Sequence, residues 1–270
     1  MRVKIEGDHS SYHGGSAAAF NVIKKEVMRA GEITEHEKNY DLLVVNGEGS
    51  MHHNSGGFRR KIRKIQSAIN NGKKVVLVNS VWQDNPKESA SILRSCDQVV
   101  VREVLSQREL DNQGIKAQIF IDQSYHEFID ESASFIDYKG GVVFTDFWSK
   151  DFECFAKLTS KWAQKFHYLD MQTMSWSSIV RSLQTASLLV TGRHHAVYAA
   201  CKAEIPFLAM QGNTHKIEGL IETAGVDLPI YSNFKDIKEC VVKSIIHDDA
   251  CQRLFQWMRS QSPWQLELRD

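Results

Sequence analysis

The sequence predicts an α/β protein built from two doubly wound, Rossmann-like domains. Three observations predict it. Short apolar runs rich in β-branched residues recur along the 270 residues. Amphipathic stretches of helical length separate them, the pattern that gives a parallel sheet with helices on both faces. A glycine pair, Gly140-Gly141, follows an acidic stretch, with about five strand candidates before it and four or five after it. The expected boundary therefore places the N-terminal domain at residues 1–138 and the C-terminal domain at 139–270. One continuous sheet is the alternative.

The strand candidates, in order, are residues 3–5, 42–45, 75–78, 98–101 and 118–121, then 142–145, 166–169, 188–191, 207–210 and 228–231. Each is short, apolar and bounded by turn residues or charge. Helices are expected over residues 16–29, 58–70, 87–94, 103–112, 152–165, 176–184, 195–202, 216–224 and 237–246. A last helix, 248–257, is expected to pack back across the junction.

Composition narrows the function. Lysine and arginine number 33, as do aspartate and glutamate, so no global field points to nucleic acid or anionic lipid, and any anion site must be local. The N-terminal residues lack the apolar core of a signal peptide, and no apolar run reaches the roughly 18 residues that span a bilayer. The cysteines are scattered and odd in number, without a CxxC pair, which reads as reduced thiols in a cytoplasmic protein.

In open parallel sheets, ligands bind outside the carboxyl ends of the strands. The residues that follow each strand are therefore the site candidates. After the first come Asp8 and His9. After the second comes Gly47-Glu48-Gly49-Ser50, with His53 beyond it. Arg102 follows the fourth and Asp122 the fifth. In the second half, Arg193, His194 and His195 follow one strand, and Asn213, Thr214 and Lys216 follow the next.

Glu48 and Asp122 form the first constellation. Paired carboxylates in a sheltered site can separate in pKa, one ionised as nucleophile or base and one protonated as acid. The plainer reading is that Asp122 caps the following turn and Glu48 is solvated, although turn chemistry does not ask for glutamate. Arg193, His194 and His195 form the second. A strand, a glycine turn and a helix start make an anion site, to which Arg193 adds a fork and a histidine adds a proton donor. Lys216 in a first helical turn, behind Asn213 and Thr214, opposes the helix dipole and suits a bound anion; a plain solvated lysine is the alternative. Arg102 could reach the same cleft or pair with Glu103 or Glu109. Asp8, His9, Ser50 and His53 are candidate acceptor or loop contacts.

Several classes are disfavoured. No HExxH or Cys/His spacing argues for metal, and none is expected. There is no GxxxxGK[ST], no GxGxxG after a strand and no GxSxG, and no cofactor is expected.

Taken in order, "GDHSS", the glycine loop at 47–50, "VVREVLSQREL" with Arg102 and Ser106, Asp122, "TGRHHA" with Arg193 and His195, and Lys216 resemble the polysaccharide pyruvyl transferase superfamily. The likeness runs from about residue 5 to 220. It implies a two-domain GT-B-like fold and transfer of the enolpyruvyl part of phosphoenolpyruvate to a sugar, with Arg193, His195 and Arg102 at the donor. The chain departs from that family at Glu48, where plain glycines are usual. A Glu there with an Asp after the fifth strand looks more like the retaining β-Kdo glycosyltransferases of glycosyltransferase family 99. That resemblance implies Asp122 as nucleophile, Glu48 as acid/base and CMP-Kdo as donor, its phosphate and carboxylate held by 193–195 and 213–216.

Three functions follow as expectations. The first is a retaining Kdo-type glycosyltransferase of bacterial capsule or lipopolysaccharide assembly, working by double displacement. The second is a pyruvyltransferase using phosphoenolpyruvate. The third is a non-catalytic sugar-phosphate-binding protein. The partners expected are a nucleotide-sugar or phosphoenolpyruvate donor and a saccharide acceptor, with no nucleic acid; peripheral association with a membrane-bound glycolipid acceptor is left open.

Overall fold

Strands and helices alternate through most of the chain in a computed structural model that describes residues 1–268. The chain divides into two units. The first comprises residues 1–9, 18–127 and 262–268, and the second comprises 10–17 and 128–261.

The first unit holds a six-stranded parallel sheet: β1 (Arg2–Glu6), β2 (Glu32–Ile33), β3 (Leu42–Glu48), β4 (Lys74–Ser80), β5 (Gln98–Val101) and β6 (Gln118–Ile119), in the order β2-β1-β3-β4-β5-β6. Its central strands are buried on both faces, as parallel strands covered by helices must be. One face packs Val3, Leu42, Val44, Val76 and Val100 against Ile23 and Val27 of α1 (Gly14–Ala30). The other packs Leu43, Val45, Val75 and Leu77 against α2 (Gly56–Asn70), α3 (Lys87–Ile92) and α4 (Val104–Asp111).

Helix α2 shows how the sequence builds this layer. Ser55 caps it by accepting from the Phe58 N–H, and Phe58, Lys61, Ile62, Ile65 and Ala68 fall on one buried face at helical spacing. Past β6 the chain folds back, so that the Gln123 N–H donates to Asn79 Oδ1 near the end of β4. The C-terminal segment also returns to this unit. Trp264 is fully buried, its indole N–H donating to Gln98 Oε1 at 3.0 Å.

The second unit holds β7 (Val142–Phe144), β10 (His167–Tyr168), β11 (Leu188–Thr191), β12 (Phe207–Met210) and β13 (Ile230–Tyr231), all parallel in the order β10-β7-β11-β12-β13. Helices α5 (Trp176–Leu183), α6 (His194–Ala203), α7 (Lys216–Ala224), α8 (Phe234–Lys243) and α9 (Asp248–Arg259) complete it. Gly140-Gly141 lies within this unit just ahead of β7, and α9 remains in it.

One expected helix is absent. Residues 152–165 form no α-helix: an antiparallel hairpin of β8 (Phe147–Ser149) and β9 (Cys154–Ala156) is followed by a short 3-10 turn (Ala163–Lys165). Trp148 meets Phe155 edge-on across the hairpin at 5.3 Å, the kind of cross-strand aromatic pair that stabilises a ribbon. No helix among the described residues is long and apolar enough to cross a membrane.

Candidate functional site

Each sheet reverses strand order once, between β1 and β3 in the first unit and between β7 and β11 in the second. Ligands of doubly wound sheets bind outside the carboxyl ends of the strands at such reversals.

In the first unit, the reversal is flanked by the loop after β1, with Asp8 and His9, and by the end of β3. Glu48 is the last residue of β3 and does not lie beyond it. It is buried at 5 % exposure and has φ +43, a left-handed conformation that costs a glutamate of order 1–3 kcal/mol. Gly47 is required beside it, since a Cβ there would lie 2.6 Å from the Ser80 Cβ on β4.

Lys61 organises this turn from below. Its buried ammonium donates to the carbonyls of Asn46 at 2.6 Å and Gly47 at 2.8 Å and to Ser50 Oγ at 2.7 Å, and lies 3.0 Å from His9 Nε2. Burial lowers its pKa to about 7, against a smaller upward pull from the Glu48 carboxylate. Burial and then the Lys61 charge lower that of His9. Deeper in, Asn79 donates to Asn46 Oδ1 and Asn46 to the Gly7 carbonyl, so the ends of β1, β3 and β4 share one buried hydrogen-bond chain. Lys61 is not among the residues that follow a strand, but its spacing three from Phe58 and four from Ile65 puts it on the apolar face of α2.

Asp122 sits at the same end of this sheet. It is fully buried; one oxygen accepts from the Arg102 guanidinium and the other from the Ser124 N–H at 2.9 Å, capping the following 3-10 turn (Gln123–His126). Arg102 is thus paired with Asp122 and with neither neighbouring glutamate. Glu103 instead caps α4 through the N–H groups of Leu105 and Ser106, and Glu109 accepts from the Asp84 N–H. The Nε and Nη2 of Arg102 are buried without a hydrogen-bond partner among the described residues. His53 is exposed, with φ +50, and its Nε2 lies 3.2 Å from Asp84.

In the second unit, the reversal carries an ion pair that sequence reasoning missed in part. Arg193 occupies the N-cap position of α6 without a side-chain cap bond, and donates from Nε and Nη2 to the two oxygens of Asp146, both at 2.6 Å, and from Nη1 to the Tyr12 hydroxyl at 3.0 Å. Its guanidinium also lies 4.1 Å over the Phe155 ring. Burial works to lower its pKa, but the fork on Asp146 more than offsets that, and the value is raised. Asp146 directly follows Thr145, past β7, a position that a search for residues after strands would reach.

His194 and His195 open α6, both buried. The His195 ring meets His13 edge-on at 4.7 Å, and His13 Nδ1 accepts from the Ser16 N–H at 3.0 Å at the start of α1. A Cβ on Gly15 would lie 2.6 Å from the His195 Cβ, so glycine is what lets the first turns of α1 and α6 meet. The two helix N-termini, each carrying a partial positive charge from the helix dipole, thus meet around one histidine pair. In the adjoining loop, Thr214 is buried, Gly212 lies beside the Gly192 carbonyl, and Lys216 donates to Asn213 Oδ1 at 3.1 Å from the first residue of α7.

The fold is similar to that of several solved proteins. A functionally uncharacterized protein of Klebsiella pneumoniae, KP1_0663, aligns over 86 % of this chain and 92 % of its own with a TM-score of 0.61 and 13 % identity. MnaA of S. aureus, solved with UDP, aligns over 97 % and 91 % with a TM-score of 0.60 and 11 % identity. HepE of Anabaena, solved with UDP-glucose, aligns over 96 % and 94 % at 0.54 and 9 %. These likenesses establish a GT-B-like fold with two Rossmann-like domains. No curated protein sequence matches the chain. The polysaccharide pyruvyl transferase model, however, matches residues 7–213, most of the sequence, and stops just short of Thr214 and Lys216. The chain therefore belongs to the polysaccharide pyruvyl transferase family, and it is a transferase of polysaccharide biosynthesis.

Proposed function

We propose that the protein moves the pyruvyl group of phosphoenolpyruvate onto hydroxyls of a saccharide. The observation that carries this reading is the meeting of the α1 and α6 N-termini around His13 and His195, with Arg193 at the N-cap position of α6. Two helix dipoles and a fixed cation suit the phosphate and carboxylate of a small polyanionic donor. His194, Lys216, Asn213 and Thr214 extend that site in this reading. Arg193 is held rigid by Asp146, so its role is to fix the site's charge and shape more than to wrap the donor.

The chemistry asks for a proton to C3 of the enol, which makes C2 electrophilic, and for loss of a proton from the attacking hydroxyl. The C2–O bond to phosphate then breaks, inorganic phosphate leaves, and a second hydroxyl closes the ketal. His195 serves as the proton donor, and the basic site stabilises the departing phosphate. Asp8, His9, Ser50 and His53 are assigned to the acceptor side, with Arg102 holding Asp122 in place.

A second reading, retaining Kdo transfer from CMP-Kdo, is favoured by one observation: Glu48 is a buried carboxylate in a strained turn, where an acid/base group would be placed. It needs Asp122 as nucleophile, and both Asp122 oxygens already accept hydrogen bonds. Thermal melts separate the readings. Phosphoenolpyruvate at one hundred times its Kd should stabilise the protein by about 2.7 kcal/mol, and CMP-Kdo should not. His195→Gln should lose transfer while Glu48→Gln keeps most of it. Protection by CMP-Kdo alone, together with an inactive Glu48→Gln, would replace the first reading with the second.

A further inference from the structure

A groove of about 610 Å³ lies on the first unit beside β1, in the volume range of small-ligand sites. It exists because one crossover lacks its helix. The chain returns from β2 to β3 through residues 34–41 alone, with the Thr34 N–H donating to the Val3 carbonyl and the Asp41 N–H to the Arg2 carbonyl. The face of β1 opposite Val3 and Ile5 is left without a helical cover, and it carries Lys4 and Glu6.

Polar chemistry fills this face. Lys4 is buried, 2.6 Å from Glu37 and 3.5 Å from Glu6, and Lys64 of α2 bridges the same two carboxylates, 3.4 Å from Glu37 and 3.1 Å from Glu6. Two further lysines on the rim, Lys38 and Lys73, have no acidic partner among the described residues; Lys73 lies 5.6 Å over the Tyr40 ring. With Lys4, Lys38, Lys64 and Lys73 against Glu6 and Glu37, the wall is cationic while the whole chain has no net charge.

We infer that this groove binds an acidic saccharide, its carboxylates on Lys38 and Lys73 and its hydroxyls on the Lys4–Glu37–Lys64–Glu6 network. The unpartnered lysines call for the anion, and alternating donors and acceptors along one wall suit the hydroxyls of a pyranose. The choice of a saccharide rests on the proposed transfer to a sugar; the anion site rests on the groove alone.

Isothermal titration with trigalacturonate, maltotriose and inorganic tripolyphosphate tests the inference. Trigalacturonate should bind at low salt, weaken as salt rises, and lose at least tenfold in affinity in K38E/K73E, with maltotriose silent. If the reversal does not fold by circular dichroism, K38Q/K73Q should show the same loss in part. Absence of trigalacturonate binding, binding unchanged in the variants, or equal binding of maltotriose would overturn the site. Tripolyphosphate binding as tightly as trigalacturonate would overturn the saccharide assignment. Failure of phosphoenolpyruvate turnover with trigalacturonate binding and its lysine dependence intact would count against the transfer chemistry and leave the groove standing.

Discussion

Lys61 shows how one residue governs the first unit's reversal point. An ammonium shielded from water is costly, and here it is kept because it satisfies carbonyls that the Gly47–Glu48 turn exposes. Its pKa of about 7 lies below the ordinary lysine value near 10.4. Between those values the unfolded chain holds a proton that the folded chain has released, so this residue makes stability rise with pH across that window. The unfolding free energy of the wild type, relative to Lys61→Met, should therefore increase from pH 7 to pH 9 in urea titrations. A flat difference would remove Lys61 from this role. Residues that follow strands were legible from sequence because their chemistry is polar where a turn is expected. Lys61 was less so, because a lysine in a basic helix reads as solvated until its helical phase is counted. The Arg102–Asp122 pair was not legible, since the residues are far apart in sequence and only the fold-back after β6 joins them.

At the scale of elements, the meeting of α1 with α6 is set by the absence of a side chain. Gly15→Ala would normally favour a helix by roughly 0.5–1 kcal/mol. Here its methyl group would lie 2.6 Å from the His195 Cβ, an atom with no freedom to withdraw. Overpacking of this kind costs about 1–3 kcal/mol, so the variant should unfold at lower urea and transfer more slowly. Gly56→Ala at the start of α2, where nothing lies within 4 Å, should be neutral or stabilising. Equal behaviour of the two would contradict the close-approach argument. Strands buried on both faces, such as β5, β11 and β12, were predicted with their observed bounds, because continuous apolar runs have few other uses. The hairpin of β8 and β9 was missed. Its aromatic residues pack across the ribbon and over Arg193, a pattern that mimics helical spacing in the sequence.

At the scale of the molecule, the two sheets repeat one plan. Each begins with a strand that ends at a reversal, and each gathers polar side chains there: Glu48 at the end of β3, Lys61 of α2 and His9 in the first unit, Asp146, Arg193 and the histidines of α6 in the second. Strand–helix alternation made that plan readable, whereas the assignment of residues 10–17 to the second unit and 262–268 to the first was not readable, because only tertiary burial such as that of Trp264 declares it. The proposed transfer to a saccharide rests on family membership and this geometry, with the identity of the donor as the central claim. Phosphorus NMR of the protein with phosphoenolpyruvate, CMP-Kdo and a saccharide diol tests it most directly. The account predicts that the phosphoenolpyruvate signal gives way to inorganic phosphate as pyruvyl ketal accumulates on the saccharide. Unchanged phosphoenolpyruvate with release of CMP would contradict it.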